Sequence, residues 1–302
     1  MRVAIVTNDR TGQTYRTREL LRRLRRRGVH YNLLVPEYTV VRVRNGNIQV
    51  INALGRPVRP DVVLNALYVP SGKGLEIVEC FEAMGVPVVN RAQAWRRAKI
   101  KPLSTVLFGV SGVEHPPTVF SDGAPRYAGN VVQATVGLPA VFKPWRGALG
   151  FGIVRVRGWH AVYKQLRNTL HRRRPVYLQQ FVRNPGRDIR VMVIGDQAVG
   201  ATYRIAPPGH WKTNVAAGGR PARCPVTKEL ADISIRATAS VGLDIAGVDV
   251  IEGPRGPEVL EVNAWPNYRR FDKVAGVDVA DRIAQFLIQQ ARRPGSGPVV
   301  AL

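Results

Sequence analysis

The chain has 302 residues, 45% of them hydrophobic and 22% charged, which is enough to bury a large core in roughly two or three subdomains. Every apolar run is shorter than a membrane span, which excludes a helical membrane protein and any partnership with a membrane by that route. Lys and Arg number 45 against 21 Asp and Glu, a formal charge of +24 carried mostly by arginine.

Arginine clusters occur at 22–23, 25–27, 96–97, 172–174 and 269–270. Such a surface attracts polyanions, including nucleic acid, acidic proteins and phosphorylated small molecules. A general preference for arginine on solvated helix faces explains it equally simply. Whether the charge is functional or compositional stays open, and nucleic acid is expected to bind only non-specifically. Cys80 and Cys224 lack metal-type spacing and read as free thiols in a reducing compartment. Residues 1–6 run straight into a strand without a signal-peptide layout, so a cytoplasmic location is expected.

The first ninety residues alternate strand and helix. Strands are predicted at 3–7, 31–35, 61–67 and 86–89. Helices are predicted at 16–27, ended by Gly28, and at 75–84. In the first helix Leu20, Leu21 and Leu24 form the apolar stripe and arginines cover the opposite face. Residues 40–51 contain Asn45-Gly46, a strong hairpin signal. This alternation implies an α/β domain with a mostly parallel sheet.

From Ala92 a helical segment carries Trp95, Arg96 and Arg97. A second helix begins at Lys101-Pro102, where the missing proline N–H costs nothing. Residues 116–119 lead into a strand. Strands follow at 140–143, 153–156 and 176–182, with a helix at 159–170 and a hairpin over 189–203 turning at Gly195-Asp196. Thr227 caps a helix over 227–241, and a last helix covers 279–290. Residues 294–298, Pro-Gly-Ser-Gly-Pro, read as part of a flexible tail.

The chemistry concentrates in three places. Apolar runs at 245–251 and 259–263 flank Gly253-Pro254-Arg255-Gly256 and read as a hairpin. Glu261 and Asn263 are two apart in a strand and share a face. A loop of about five residues sets Asp249 opposite Glu261. Two facing carboxylates repel unless a hard cation lies between them, and carboxylate and amide oxygens with room for phosphate are what Mg²⁺ accepts. A plain polar hairpin face is the alternative. In the second place, Lys143 ends a strand before a loop with Gly147, Gly150 and Gly152. Backbone N–H groups there can cradle phosphate while the lysine supplies charge. A structural glycine hairpin is an equal alternative. In the third, Gln179, Gln180, Phe181 and Val182 form a strand whose edge can meet an adenine ring. Asp188 follows, able to accept from ribose hydroxyls, and Arg190 shares its face.

The order of these features resembles the ATP-grasp superfamily. Lys101 at a helix start precedes Lys143 with its glycine loop. The strand 179–182, Gly-Arg-Asp-Ile-Arg at 186–190, and Asp249 with Glu-Val-Asn at 261–263 follow. Within it the chain looks most like RimK-type α-L-glutamate ligases and the related lysine-biosynthesis carrier-protein ligases. That likeness rests on residues 89–91, Tyr203-Arg204, 210–214, Gly218-Gly219, 246–249 and 261–263.

The resemblance implies an N-terminal Rossmann-like α/β domain over 1–92 and an ATP-grasp fold of two α+β subdomains, 93–175 and 176–293, with a tail at 294–302. It implies an enzyme that uses ATP to turn an acceptor carboxylate into an acyl phosphate. The amine of an amino acid, glutamate in the RimK-type branch, then attacks it. Lys101 and Lys143 would bind phosphate. Asp249, Glu261 and Asn263 would hold one or two Mg²⁺, with Mn²⁺ as a substitute. Arg190 and Arg204 would steady the developing charge, and Asn214 would sit near the metal or the amino acid. The acceptor is expected to be a small cofactor with a carboxylate tail, a protein C-terminus or an acidic carrier protein. A homo-oligomer is left open. A reading of another class is a catalytically idle ATP-grasp fold that binds nucleic acid. Two departures stand out. Gln180 occupies a hinge position often held by Glu, and residues 264–270, Ala-Trp-Pro-Asn-Tyr-Arg-Arg, are bulkier and more basic than the usual small-residue segment. In that segment Trp265 and Tyr268 would either stack on a substrate ring or pack in the core. Arg269 and Arg270 would either take a carboxylate or lie solvated.

Overall fold

The computed structural model describes residues 1–68, 71–123, 127–147, 150–171, 175–214 and 218–292. The expected tail, the arginine cluster at 172–174 and residues 148–149 of the glycine loop lie outside them.

The N-terminal part comprises β1 (Arg2–Val6), α1 (Tyr15–Arg26), β2 (His30–Leu34), β3 (Val40–Arg44), β4 (Asn47–Ile51), β5 (Val62–Asn65), α2 (Leu75–Ala83) and β6 (Val88–Val89). Strands pair in the order β2-β1-β5-β6, and all these pairs are parallel, as the alternation predicts. Val3 and Ile5 face the core containing Leu20 and Leu24 of α1. Ala4 and Val6 face the opposite core with Ile77 and Phe81 of α2. β3 and β4 form the expected hairpin. Asn45 (φ 49°) and Gly46 (φ 76°) both take left-handed backbone, as a type I′ turn demands.

Next come α3 (Ala92–Lys99), α4 (Lys101–Val110), β7 (Thr118–Ser121), α5 (Ala128–Thr135), β8 (Ala140–Phe142), β9 (Val154–Val156), α6 (Trp159–His171) and β10 (Val176–Gln180). The central sheet runs β7-β10-β8-β9, all antiparallel. β10 pairs with β7 and β8, so a boundary at 175/176 would cut this sheet. The sequence groups β10 with the C-terminal strands only because nothing local reveals its partners. α5 is not expected from the sequence. Its eight residues include Gly129 and two valines, and docking of Ala128 and Val132 into the third core overrides that weak propensity.

The C-terminal part holds β11 (Arg187–Ile194), β12 (Gln197–Ile205), β13 (Arg220–Cys224), α7 (Lys228–Ser240), β14 (Ile245–Gly253), β15 (Gly256–Asn263), α8 (Arg269–Ala275) and α9 (Val279–Arg292). Its antiparallel order is β13-β12-β11-β14-β15. Thr227 caps α7, its side chain accepting from the Leu230 N–H at 3.2 Å. β13 escapes sequence reading because Pro221 and two arginines suit only an edge strand. Two of the three cores mix N-terminal and C-terminal residues, whereas the third draws on residues 119–178 alone. Two arginines at the end of α1 and just past it also serve this union. Arg23 pairs with Asp278 and Arg27 with Asp281, just before and at the start of α9. Cys80 and Cys224 are free, and no helix among the described residues is long and apolar enough to cross a membrane.

Candidate active site

The β14–β15 hairpin supplies one wall of a cleft. Its turn is tighter than expected, with Gly253 paired to Gly256. Continued without interruption, that register would set Asp249 opposite Leu260. A β-bulge between Asp249 and Val250 absorbs one residue and brings Asp249 opposite Glu261. The bulge also breaks the alternation of β15, so that Leu260 and Glu261 both line the cleft. Both ends of the hairpin are anchored by the fully buried Asn90. Its Nδ2 donates to Ile245 O (2.9 Å) and Ala264 O (2.8 Å), and its Oδ1 accepts from the N–H groups of Asp244 and Ile245. Every hydrogen bond an amide can make is thus used to fix the hairpin against the N-terminal sheet.

On and just behind the cleft wall, four cations interleave with three carboxylates. Arg190 forks onto Asp249, Nε to Oδ1 at 2.5 Å and Nη2 to Oδ2 at 3.1 Å. Arg204 forks onto Asp188 at 2.7 and 2.6 Å and also reaches Asp249 Oδ2 at 3.0 Å. Thr213 Oγ1 donates to Asp188 at 2.6 Å. Lys101 Nζ lies 3.4 Å from Glu261 Oε2, and Asn263 Nδ2 donates to Glu261 Oε1 at 3.2 Å. Burial opposes the charge on Glu261, but Lys101 and Lys143 hold its carboxyl well below the usual range. Burial pushes the Asp249 carboxyl up, against the pull of both guanidiniums. Burial works against Arg204 too, yet Asp249 and Asp188 raise it further above its ordinary value. Gly247, across from Met192 on the neighbouring β11, is where the Arg190 side chain passes; a Cβ there would lie 2.7 Å from Nη1.

Lys143 follows β8 and is pushed down to about 8 by burial, with Glu261 opposing. Its Nζ donates to Gln179 Oε1 at 2.5 Å. Gln179 therefore points inward as a holder of Lys143 rather than outward toward a base; its Nε2 goes to Thr118 Oγ1 at 3.1 Å. The N–H groups of Gln180 and Phe181 donate to Pro117 O and Pro139 O, so they too are unavailable to a base. Val182 alone in this run has an N–H with no partner among the described residues. Asp188, expected to face ribose, has both oxygens engaged by Arg204 and Thr213. Of the loop glycines, Gly147 and Gly150 line the cleft. Gly150 (φ 75°) comes so near Asn214 that a Cβ would lie 3.1 Å from its Oδ1, and Gly152 (φ 73°) packs beside Pro144.

The cleft spans about 980 Å³ when its open mouth is counted. Its lining includes Lys101, Lys143, Gly147, Gly150, Gln179, Gln180, Phe181, Val182, Asp188, Arg204, Asn214, Asp249 and Glu261. Arg190, Gly152 and Asn263 are one contact behind it. Among the described residues, no three His, Cys, Asp or Glu side chains group as metal ligands. Asp249, Glu261 and Asn263 fit a hard cation only if it brings further oxygens of its own, as Mg²⁺ does.

Residues 98–287 match the RimK-like ATP-grasp domain. The chain belongs to the RimK-like ATP-grasp family. It is an ATP-grasp ligase of the ADP-forming kind that makes C–N bonds. It is 29% identical over 298 residues to a probable α-L-glutamate ligase of Serratia proteamaculans, covering 98% of both chains. It is 33% identical over 231 residues to the tetrahydromethanopterin:α-L-glutamate ligase of Methanococcus maripaludis, covering 73% of this chain and 77% of that one. Its fold matches the ATP-grasp ligase PsnB complexed with minimal precursor, Mg and ADP. That match has a TM-score of 0.75 at 21% identity, over 96% of this chain and 97% of that chain.

For this RimK-like ligase, two alternatives left open by the sequence are decided. Trp265 and Tyr268 are core residues, 6% and 0% exposed, packed with Phe271 and α9. Neither is free to stack on a substrate. Arg269 and Arg270 open α8 in solvent, Arg269 over the Tyr15 ring, and neither lines the cleft. Sequence reasoning left several lining residues without a role. Ile153, Ile251 and Leu260 supply apolar walls. Phe181 and Trp211 meet edge to face at 5.8 Å with the Arg155 guanidinium over both rings. Strand alternation pairs Ile251 with Asp249, but nothing local announces Arg155.

Proposed function

We propose that the cleft binds ATP with Mg²⁺ and that the enzyme activates an acceptor carboxylate as an acyl phosphate and joins it to glutamate or a similar acidic amino acid. The observation that carries this reading is the convergence of Lys101, Lys143, the lid glycines, Asp249 and Glu261 on one cleft. The relatives named as α-L-glutamate ligases support the choice of amino acid.

Phosphoryl transfer needs charge neutralisation and alignment more than covalent help. Lys101 and Lys143 are placed to take phosphate oxygens. The lysine at 143 is pre-positioned by Gln179, so little order is lost when phosphate arrives. Asp249, Glu261 and Asn263 would hold Mg²⁺, which neutralises charge on the phosphates. Arg190 and Arg204 are then free to lean from Asp249 toward charge developing on the acyl phosphate. Val182, with its unclaimed N–H, is the residue of the hinge run suited to an adenine edge. Gly147, Gly150 and Gly152 close as a lid and keep water from the intermediate, with Asn214 against the lid. Asp188 acts through Arg204 rather than on ribose. The proposed subdomains are 1–92, 93–182 and 183–293. A catalytically idle, nucleic-acid-binding fold is disfavoured, because the cations of the cleft are matched with carboxylates rather than spread for a polyanion.

The test is a panel assay. Purified protein, ATP and Mg²⁺ are mixed with candidate amino acids and acceptors, reading ADP release together with product mass. Glutamate-dependent ADP release and a product heavier by one or more glutamyl units are expected. ADP release that never depends on an amino acid counts against ligation.

A further inference from the structure

Glu261 bears on two groups of cations. Lys101 and Lys143 line the cleft. Arg16, at the start of α1, and Lys99, at the end of α3, lie outside that lining. Arg16 is the second residue of α1. Its Nη1 donates to Trp265 O at 2.7 Å, and its guanidinium lies over the Tyr68 ring at 4.9 Å and the Trp265 ring at 5.8 Å. Lys99 Nζ lies over the Trp95 ring at 5.3 Å, and Trp95 Nε1 donates to Leu67 O at 2.9 Å, next to Tyr68. Lys99 feels Arg16 and Lys101 as neighbouring positive charges and Glu261 as the nearby negative one, while burial lowers its pKa. Burial likewise lowers Arg16.

Neither cation has a carboxylate partner among the described residues. The acid nearest Arg16 is Asp9, and its oxygens are already taken by Thr14 and Thr11. Two part-buried cations held by rings and a carbonyl, with no paired carboxylate among the described residues, form a costly arrangement unless an anion completes it.

The place has a second, independent mark. In the order β2-β1-β5-β6, the chain leaves β1 toward β2 on one side and reaches β5 on the other. The helices α1 and α2 accordingly cover opposite faces. A parallel sheet opens a crevice at the carboxyl ends of its strands where the order reverses, here between β1 and β5. Tyr68 stands just beyond β5, its OH donating to Asn8 O just beyond β1 at 3.3 Å. Arg16 lies over that ring.

We propose that Arg16 and Lys99 form a subsite at the β1/β5 crevice, outside the lining of the nucleotide cleft, that takes the second carboxylate of a dicarboxylic substrate. A guanidinium fork suits the planar carboxylate, and the lysine adds a point charge beside it. The subsite makes the ligase selective for an acidic amino acid or acceptor tail over its amide. The inference rests on the ligase reading of the cleft.

The test is calorimetric titration of the full chain, holding ADP and Mg²⁺, with glutarate, a dicarboxylate that has no amine and cannot react. Arg16→Gln and Lys99→Gln are each expected to weaken glutarate binding at least tenfold, leaving ADP affinity within twofold. Arg22→Gln, on the outer face of α1, is expected to change neither. Glutaramate, with one acid replaced by an amide, is expected to bind the wild type about as weakly as glutarate binds Arg16→Gln. Wild-type glutarate affinity in both variants overturns the proposal. So does the absence of saturable glutarate binding to wild type, or equal affinity for glutarate and glutaramate. Because Arg16 also anchors Trp265, a loss confined to Arg16→Gln and accompanied by a lower melting temperature assigns it a structural role and likewise overturns the subsite. If ADP itself fails to bind, the ligase reading falls separately, and the same titration without nucleotide still decides the subsite.

Discussion

Glu261 and Trp265 are four residues apart and have opposite fates. Glu261 faces the cleft, held by Lys101 and Asn263. Trp265 turns away, packs with Tyr68 and Tyr268 in a shared core, and meets Arg16 through its carbonyl and its ring. A strand period and one bulge govern the first. The second is governed by how the chain leaves β15 and meets the N-terminal sheet. Side-chain chemistry that suggests a binding role does so only while the backbone keeps a residue on the cleft face.

The largest test of this contrast is Trp265→Ala. Truncating a buried indole costs about 3–5 kcal/mol, so the denaturation midpoint should fall sharply. Nucleotide affinity of the fraction that stays folded should stay within twofold. A stable variant that has lost substrate binding would place Trp265 in the site after all.

Glu261→Gln should do the reverse. Losing one pre-placed charged group that engages Lys101 and the proposed metal should lower kcat at least about a hundredfold. The fold should persist, as circular dichroism would report. Normal turnover at low Mg²⁺ is the outcome that removes Glu261 from the metal set.

Lys143→Ala is smaller. A charged hydrogen bond is worth roughly 1.5–3 kcal/mol, so ATP affinity should drop about tenfold or more. The wild type should carry a matching pH signature. Phosphate favours the charged lysine, and burial puts the free protein's Lys143 at about 8. Affinity should therefore be flat below that pH and weaken as pH rises through it. Lys143→Arg should remove the bend; a bend that survives belongs to another group.

The least change is expected from Arg269→Ala with Arg270→Ala. Both are exposed on α8, so stability should shift by no more than about 0.5 kcal/mol and kcat by less than twofold. A raised KM that grows with the acceptor's carboxylate count would return these arginines to the substrate path.

Much of the site was legible in the sequence because it lies on strands. Period two puts Glu261 with Asn263 and Asp249 with Ile251, and the glycines mark a loop that reaches the cleft. What was not legible is pairing across elements. Asp188 looked like a free acceptor until Arg204, opposite it on β12, proved to hold it. Gln179 looked like a base-reading amide until Lys143, just past the adjacent strand, claimed it. Arg16 carried no signal at all, because its meaning depends on a carbonyl 249 residues away.

The sequence by itself determined the alternation of elements, the Asn45-Gly46 hairpin, the capped α7 and the spacing of the candidate phosphate and metal groups. All of these rest on interactions within a few residues of chain. Only the tertiary structure decided that a bulge aligns Asp249 with Glu261. It also assigned β10 to the central sheet, spent residues 265 and 268 on the core, and left Arg16 and Lys99 without a paired carboxylate among the described residues. Those outcomes depend on which strand edges and apolar faces meet. Burial and partner choice are properties of the packed molecule, and no local window of sequence contains the partner.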